Sequence, residues 1–398
     1  MSAPSYVTEF RDGTLARHLA ARLAAEADPA RLYRFMEFCG GHTHAIFRYG
    51  IRDLLPDNVQ MIHGPGCPVC VLPVGRLDLG IALARRPGIT LCTYGDMLRV
   101  PGSRKMSLAR ARAEGADVRM VASALEAVAM AEAEPDREVV FFAIGFETTT
   151  PPTAVAVKAA QAKGLGNFSV LCNHVLTPAA IANILEAPAL RAMERVEIDG
   201  FLGPAHVSVV IGSQPYEYFA EEFARPVVIS GFEPLDVLQS ILMLVRQIND
   251  GRAEVENQYR RAVTREGNAR AKALVAEVFD IRRMFDWRGL GPVPYSALRL
   301  REAFAALDAE RRYGLEYVPR VENRACACPA ILRGAARPTD CRLFGRECTP
   351  STPIGSCMVS DEGACAAYWK YGRRGAATRP AAGPERAAQE PRGQEALG

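Results

Sequence analysis

Cys39-Gly40-Gly41-His42-Thr43-His44 places one thiol and two imidazoles beside a pair of glycines. Glycines let backbone approach a ligand closely, and the thiol and imidazoles supply soft donors and a proton carrier. The alternative is a buried free cysteine with core histidines. A second loop, His63-Gly64-Pro65-Gly66-Cys67-Pro68-Val69-Cys70, carries a Cys-x-x-Cys with proline between the thiols. Such a pair following a strand and opening a helix suits a reversible dithiol, and on its own it is half of a zinc site. Gly145-Phe146-Glu147-Thr148-Thr149-Thr150-Pro151 and Asn173-His174 offer one carboxylate, several hydroxyls and an imidazole to a polar ligand or a partner. The threonines serve equally as helix caps before Pro-Pro. Gly203-Pro204-Ala205-His206 and Ser230-Gly231-Phe232-Glu233-Pro234 are weaker members of the same group of loops.

Six of the eleven cysteines, Cys326, Cys328, Cys341, Cys348, Cys357 and Cys365, crowd the C-terminal end among Gly, Pro and Arg. So many thiols on a segment poor in apolar residues imply a metal as its core, a zinc ion or an iron–sulfur cluster. Wide gaps in place of two Cys-x-x-Cys knuckles favour a [4Fe–4S] cluster. Cys92 and Cys172 lie inside apolar runs and read as small buried hydrophobes.

These loops need a scaffold that points them the same way. Short apolar runs (RFMEF, VQMIH, ITLCTY, VRMVA, then VVFFAI, FSVLC, GFLG with VSVVIG, PVVIS) alternate with Ala-rich helical stretches. That alternation predicts βα units and parallel sheets, with ligands outside the carboxyl ends of the strands. Four runs and then four more predict two similar α/β domains, 31–135 and 136–234, plus a loop-rich helical iron–sulfur cluster domain. A helix over 1–30 would precede them, with Leu15, Leu19, Leu23 and Ala24 on one stripe. Residues 235–318 read as helices, the segment 235–372 as helical and cluster-binding, and 373–398 as a disordered tail with little to bury.

Composition narrows the class. The 398 residues, 49% hydrophobic and 23% charged, suffice for a multidomain globular chain. A net charge of +3 from 48 basic and 45 acidic residues gives no nucleic-acid footprint. No apolar run reaches the roughly 20 residues of a membrane span, and an N-terminal stretch with acidic residues and no apolar core segment is not expected to be a signal peptide. A cytoplasmic location is expected, where an odd number of cysteines argues for metal or redox work over structural disulfides.

The strings CGGHTH, GPGCPVC, GFETTTP and CTPSTPIGSCMVSDEGACAAYWKY, in this order, resemble those of the HypD family of [NiFe]-hydrogenase formation proteins, over about residues 30 to 372. The family's C-x14-C-x6-C-x16-C pattern falls on Cys326, Cys341, Cys348 and Cys365, which the resemblance makes [4Fe–4S] ligands, with Cys328 and Cys357 as neighbours. It further implies two similar α/β domains and a scaffold for the Fe(CN)2CO unit of the hydrogenase active site. A HypC-type small chaperone would share the iron with Cys39, and a HypE-type partner would donate cyanide. On this reading His42 or His44 orients the thiolate or bonds to cyanide, Cys67 and Cys70 cycle between dithiol and disulfide, and Glu147, Thr148 and Thr149 lie at the ligand-facing rim. Glu362, beside Cys365, would tune the cluster's charge environment, take part in electron-linked proton transfer, or simply lie exposed on the surface. A second reading is an iron–sulfur thiol-disulfide oxidoreductase, for which Cys39 is dispensable. A third is a zinc-stabilised interaction module. No G-x-x-x-x-G-K-[ST] loop supports nucleotide hydrolysis.

Overall fold

The computed structural model describes residues 8–186 and 197–372. Its strands are β1 (Tyr33–Glu37), β2 (Val59–His63), β3 (Ile89–Thr93), β4 (Asp117–Met120), β5 (Glu138–Gly145), β6 (Phe168–His174), β7 (Gly200–Pro204), β8 (Val227–Ser230) and β9 (Val255–Asn257), followed by β10 (Phe279–Ile281), β11 (Met284–Trp287), β12 (Gly291–Pro294) and β13 (Leu298–Leu300). Two parallel sheets dominate, one in the order β2-β1-β7-β8-β9 and the other β4-β3-β5-β6. The α/β class read from the run-and-helix alternation is therefore present. Strand β6 and nearly all of β5 are buried on both faces, which is why they read as unbroken apolar runs rather than alternating ones.

The grouping of strands departs from the order of the runs. β1 and β2 share a sheet not with β3 and β4 but with β7 and β8, β1 pairing with β7, so the expected boundary between residues 135 and 136 falls between two strands of one sheet. A buried strand's apolar pattern records its burial but not its neighbour, and parallel strands are joined by crossovers long enough to reach past one another. The run VSVVIG is likewise not a strand: Ala205–Ile211 is a helix that starts as β7 ends. Its Ser208 hydroxyl donates to Pro204 O at 2.8 Å, and Val207 is buried while Val209 faces solvent. Packing on one face outweighs the β-propensity of valine here.

Beyond residue 234 the helix Pro234–Asn249 forms as expected, with proline at its first turn and a Glu233/Asp236 capping box. The following Arg/Glu-rich stretch yields only the helix Ala269–Val278, preceded by edge strand β9, and residues 279–300 form two antiparallel pairs, β10 with β13 and β11 with β12. The N-terminal helix is Gly13–Glu26, but its inward stripe is Ala16, Leu19 and Leu23 continuing to Ala27, while Leu15 and Ala24 are exposed. It packs against Pro234–Asn249, where Arg246 grips Glu26 through two hydrogen bonds of 2.6 and 2.8 Å. The tail expected over 373–398 lies outside the described residues.

One contiguous apolar core joins Met36 and Phe201 of the first sheet, Phe142 and Leu171 of the second, and Cys328, Cys348, Cys357 and Cys365 of the C-terminal segment. Cys92 and Cys172 are buried, as expected, and burial pushes their thiols up to about 12 and about 11. Among the described residues no helix is long and apolar enough to cross a membrane.

A candidate thiol and metal site at the strand ends

Cys39 leaves β1 in extended conformation and caps the helix Gly40–Arg48, its Sγ accepting from Gly41 N at 3.3 Å. It is 2% exposed, and the same Sγ lies 3.4 Å from Nδ1 of His206, at the start of the Ala205–Ile211 helix. Burial first, then Glu362 and Glu37, raise the thiol well above its ordinary range, while burial pushes His206 down to about 4. A neutral thiol therefore faces a neutral imidazole that can accept its proton. Gly40 is required by close packing: a Cβ there would sit 2.3 Å from Cβ of Glu362. Glu362 thus belongs to the Cys39 site as well as to the segment before Cys365.

His42 and His44 are two positions apart on this helix and point to different sides. His42 is fully buried, with Nε2 donating to Ser230 O at 3.0 Å and Gly231 O at 3.1 Å. That fixes the tautomer and leaves Nδ1 as an unpartnered lone pair. Burial holds its pKa at about 4. The rings of His42 and His206 both pack on Phe232, at 4.8 and 5.3 Å. His44 instead meets the edge of Tyr371 at 5.2 Å. The structure therefore brings His42, and not His44, to the side of the helix that His206 occupies.

Cys67 and Cys70 are joined as a disulfide and buried. Cys67 caps the turn Pro68–Val71, its Sγ accepting from Cys70 N at 3.2 Å. This loop is locked to the Cys39 loop, since Gly40 N donates to Gly66 O at 2.9 Å and a Cβ on Gly66 would lie 2.2 Å from Cys39 N. Beneath both sits Glu37, fully buried at the end of β1. Its Oε1 accepts from His63 Nδ1 at 2.8 Å and from the Thr43 hydroxyl, and its Oε2 accepts from Cys39 N at 3.0 Å. Burial raises the Glu37 pKa, against the opposing pull of His63. Sequence reasoning missed Glu37; the available signal was a carboxylate inside the apolar run RFMEF, facing the loop that follows.

Glu147 lies after β5, buried, with its two oxygens accepting from Thr177 N at 2.7 Å and Thr177 Oγ1 at 2.9 Å. Burial pushes it up to about 7. Thr149 and Thr150 turn their hydroxyls onto Phe146 O and Glu147 O, both at 3.0 Å, at the start of the helix Thr150–Ala162, beside half-buried Thr148. Thr149 stands just before this helix, but its side chain accepts from no helix N–H, and no hydrogen bond joins Glu147 to Cys39. Tyr216 is buried nearby, and that burial, with Glu147 and then Cys39 adding to it, raises its pKa.

The six C-terminal cysteines gather as neighbours. Cys326 and Cys357 lie beside Cys328, and these two neighbours, with the charge of Arg288, hold the Cys328 thiol well below its ordinary range. Cys365 is raised well above it by burial and by Cys328, Cys348 and Cys341. Cys348 Sγ accepts from Ile354 N at 3.4 Å. Among the described residues no three His, Cys, Asp or Glu side chains converge on a single ion. A four-iron cluster is larger and holds its thiolates further apart, so the donor set fits it in kind. Ser356 ties this segment to the disulfide: its hydroxyl donates to Cys70 O at 2.9 Å and lies 3.7 Å from Cys328 Sγ.

The HypD family model, described as "Hydrogenase formation hypA family", matches residues 14–372. The chain is 68% identical to the hydrogenase maturation factor HypD of Rhizobium leguminosarum bv. viciae over 92% of its own length and 96% of that relative's. It is 67% identical to the corresponding factor of Azotobacter vinelandii, over 93% and 97% of the two chains. With that of Escherichia coli (strain K12) it shares 45% identity, over 89% and 93%. The family model spans the Cys39 loop, the disulfide and the six C-terminal cysteines, the relatives cover about nine-tenths of the chain, and on that ground this protein belongs to the HypD family and serves in hydrogenase maturation.

Proposed function

We propose that the protein is the scaffold on which the Fe(CN)2CO unit is assembled, with iron as its cargo. The observation that carries this reading is Cys39: a lone buried thiol at a helix cap, with a neutral His206 imidazole 3.4 Å away to take the proton when the sulfur binds iron. Cyanide and CO favour low-spin iron(II), and one soft thiolate can hold such an iron while leaving positions for them. A HypC-type chaperone supplies the second cysteine. Two sulfurs sharing one iron lie within about 5 Å of each other, given metal–thiolate bonds near 2.3 Å, so the partner docks on the strand-end loops. A HypE-type partner delivers cyanide. His42, with a free Nδ1, lies among the groups that set the hydrogen-bonding environment of the bound unit.

Cys326, Cys341, Cys348 and Cys365 would hold a [4Fe–4S] cluster, which when bound supplies one-electron redox chemistry. Cys67 and Cys70 cycle between disulfide and dithiol. The enclosed disulfide, joined through Ser356 to the cysteine-rich segment, supports this assignment. A colourless protein containing zinc but no iron or sulfide would overturn it.

The deciding experiment is an infrared spectrum of the protein purified anaerobically with its small partner, beside Cys39→Ala. Metal-bound cyanide and CO bands are expected in the wild type and absent from the variant. The competing reading, a thiol-disulfide oxidoreductase acting on a partner, is favoured by the disulfide alone. It predicts an iron–sulfur protein without those bands, in which Cys39→Ala is silent.

A further inference from the structure

The Cys67–Cys70 disulfide is almost wholly enclosed, with Cys67 3% and Cys70 0% exposed. Electrons alone would leave two adjacent thiolates in a low-dielectric site, which burial and mutual repulsion oppose. Protons must therefore reach the sulfurs with the electrons, and two spaces in the protein show where. An inner cavity of about 10 Å³ is walled by Cys67, Cys70, Thr43, Glu362 and His63, room for about a single water molecule. An outer cleft of about 490 Å³ runs along edge strand β2, between Val59–His63 and residues 334–338. Among the described residues His63 is the one that lines both.

The His63 ring is held as a relay requires. Nδ1 is 2.8 Å from Glu37 Oε1, the ring is stacked on Phe47 at 5.2 Å, and the side chain is 12% exposed. With the Nδ1 proton committed to buried Glu37, Nε2 is the nitrogen that gains and loses a proton. The other ionisable groups around it are Glu362, which walls the inner cavity from an exposed position, and, in the cleft, Tyr368 and Arg34, Arg52 and Arg337 against Asp57, Glu197 and Asp340. The cleft is thus near charge balance and open to protons and neutral buffer molecules alike.

We propose that His63 relays protons from the outer cleft to the Cys67–Cys70 disulfide during its reduction. The inference rests on the redox role given above to these cysteines. In the step a low-potential one-electron donor supplies two electrons in turn, the S–S bond breaks and two S–H bonds form. Both protons enter from solvent through His63, which is reprotonated from the cleft each time.

The test uses the full chain, oxidised and anaerobic, with a photoreduced deazaflavin as electron donor and mass-spectrometric counting of alkylated Cys67 and Cys70. His63→Ala is expected to slow thiol formation by at least about tenfold. Imidazole, which fits the vacated space, should restore the rate. Pyrazole, of the same size but unprotonated near neutral pH, should not. His63→Gln keeps the volume and can still donate to Glu37 but cannot relay a proton; it should be equally slow, beyond rescue by imidazole, and it carries the test if the alanine variant fails to fold. Wild-type rates in His63→Gln, or equal rescue by pyrazole, would overturn the relay. A wild-type disulfide that the donor does not reduce at all would remove the redox reading beneath it, whereas slow variants that keep their cyanide and CO bands would isolate the defect to proton delivery.

Discussion

His174 is fully buried at the end of β6, where Nε2 donates to Thr153 Oγ1 at 2.9 Å, and burial holds its pKa at about 4. Below pH 6.5 the unfolded chain takes up a proton there while the folded chain does not, so stability falls as pH drops from 6.5 to about 4. The full effect of that one group is roughly 3 kcal/mol. Glu147 works with the opposite sign: raised from 4.5 to about 7, it binds its proton more tightly when folded, and its contribution is lost as pH rises through that window. Urea titrations over a pH series should show His174→Gln gaining on the wild type by up to roughly 3 kcal/mol between pH 6.5 and 4. A constant difference across that range would contradict a neutral buried His174. Glu37 shows why such groups escape a reading of sequence. Its partners, His63 and the Cys39 amide, come from the next strand's end and from the turn beyond its own, and only the pairing of β1 with β2 joins all three.

At the scale of elements, the site is an interlock of two loops that follow adjacent parallel strands. Gly66 lies against the Cys39 backbone, where a Cβ would approach N to 2.2 Å and Cα to 2.5 Å. Neither contact is with a flexible side chain, so Gly66→Ala must push the two loops apart. We expect a destabilisation of about 1–3 kcal/mol, together with faster alkylation of Cys39 as its burial is lost. Unchanged thiol reactivity would show that the loops are not packed as described. The strand-end loops themselves were legible: Gly, Pro, Cys and His clustering after apolar runs marked those that carry Cys39, Cys67 and His206, though not the Glu362 loop that packs on Gly40. The sheet to which each run belonged was not legible, because β3 and β5 are as apolar as their counterparts in the other sheet. The helix Ala205–Ile211 hid for a related reason. Its Val-Ser-Val-Val-Ile composition favours a strand, and only the burial of one face, with His206 delivered to Cys39, makes it helical.

At the scale of the molecule, three sequence regions share one core, and that sharing sets how the protein unfolds. Arg288 shows the coupling in a single buried side chain: its backbone N donates to Val71 O at 2.7 Å, its Nε donates to Leu72 O at 3.1 Å, and its charge bears on Cys328 and Cys357. Arg76 does the same for the second sheet, donating to Asn173 Oδ1 at 2.6 Å and to Glu310, which Arg76 and Arg282 hold down at about 2. A buried cation with one partner removed is costly, on the order of 3–5 kcal/mol, so Glu310→Ala should destabilise the whole chain and not merely the segment that bears it. The domain division expected from the run order predicts separate transitions for three units. The shared core and these crossing ion pairs predict a single cooperative transition for both sheets and the cysteine segment, shifted as one by Glu310→Ala. Differential scanning calorimetry with hydrogen exchange on β1, β5 and the Cys328–Leu332 helix distinguishes the two. If β5 lost protection in the variant while β1 and the cysteine segment kept theirs, the core would be contiguous in space but not in energy.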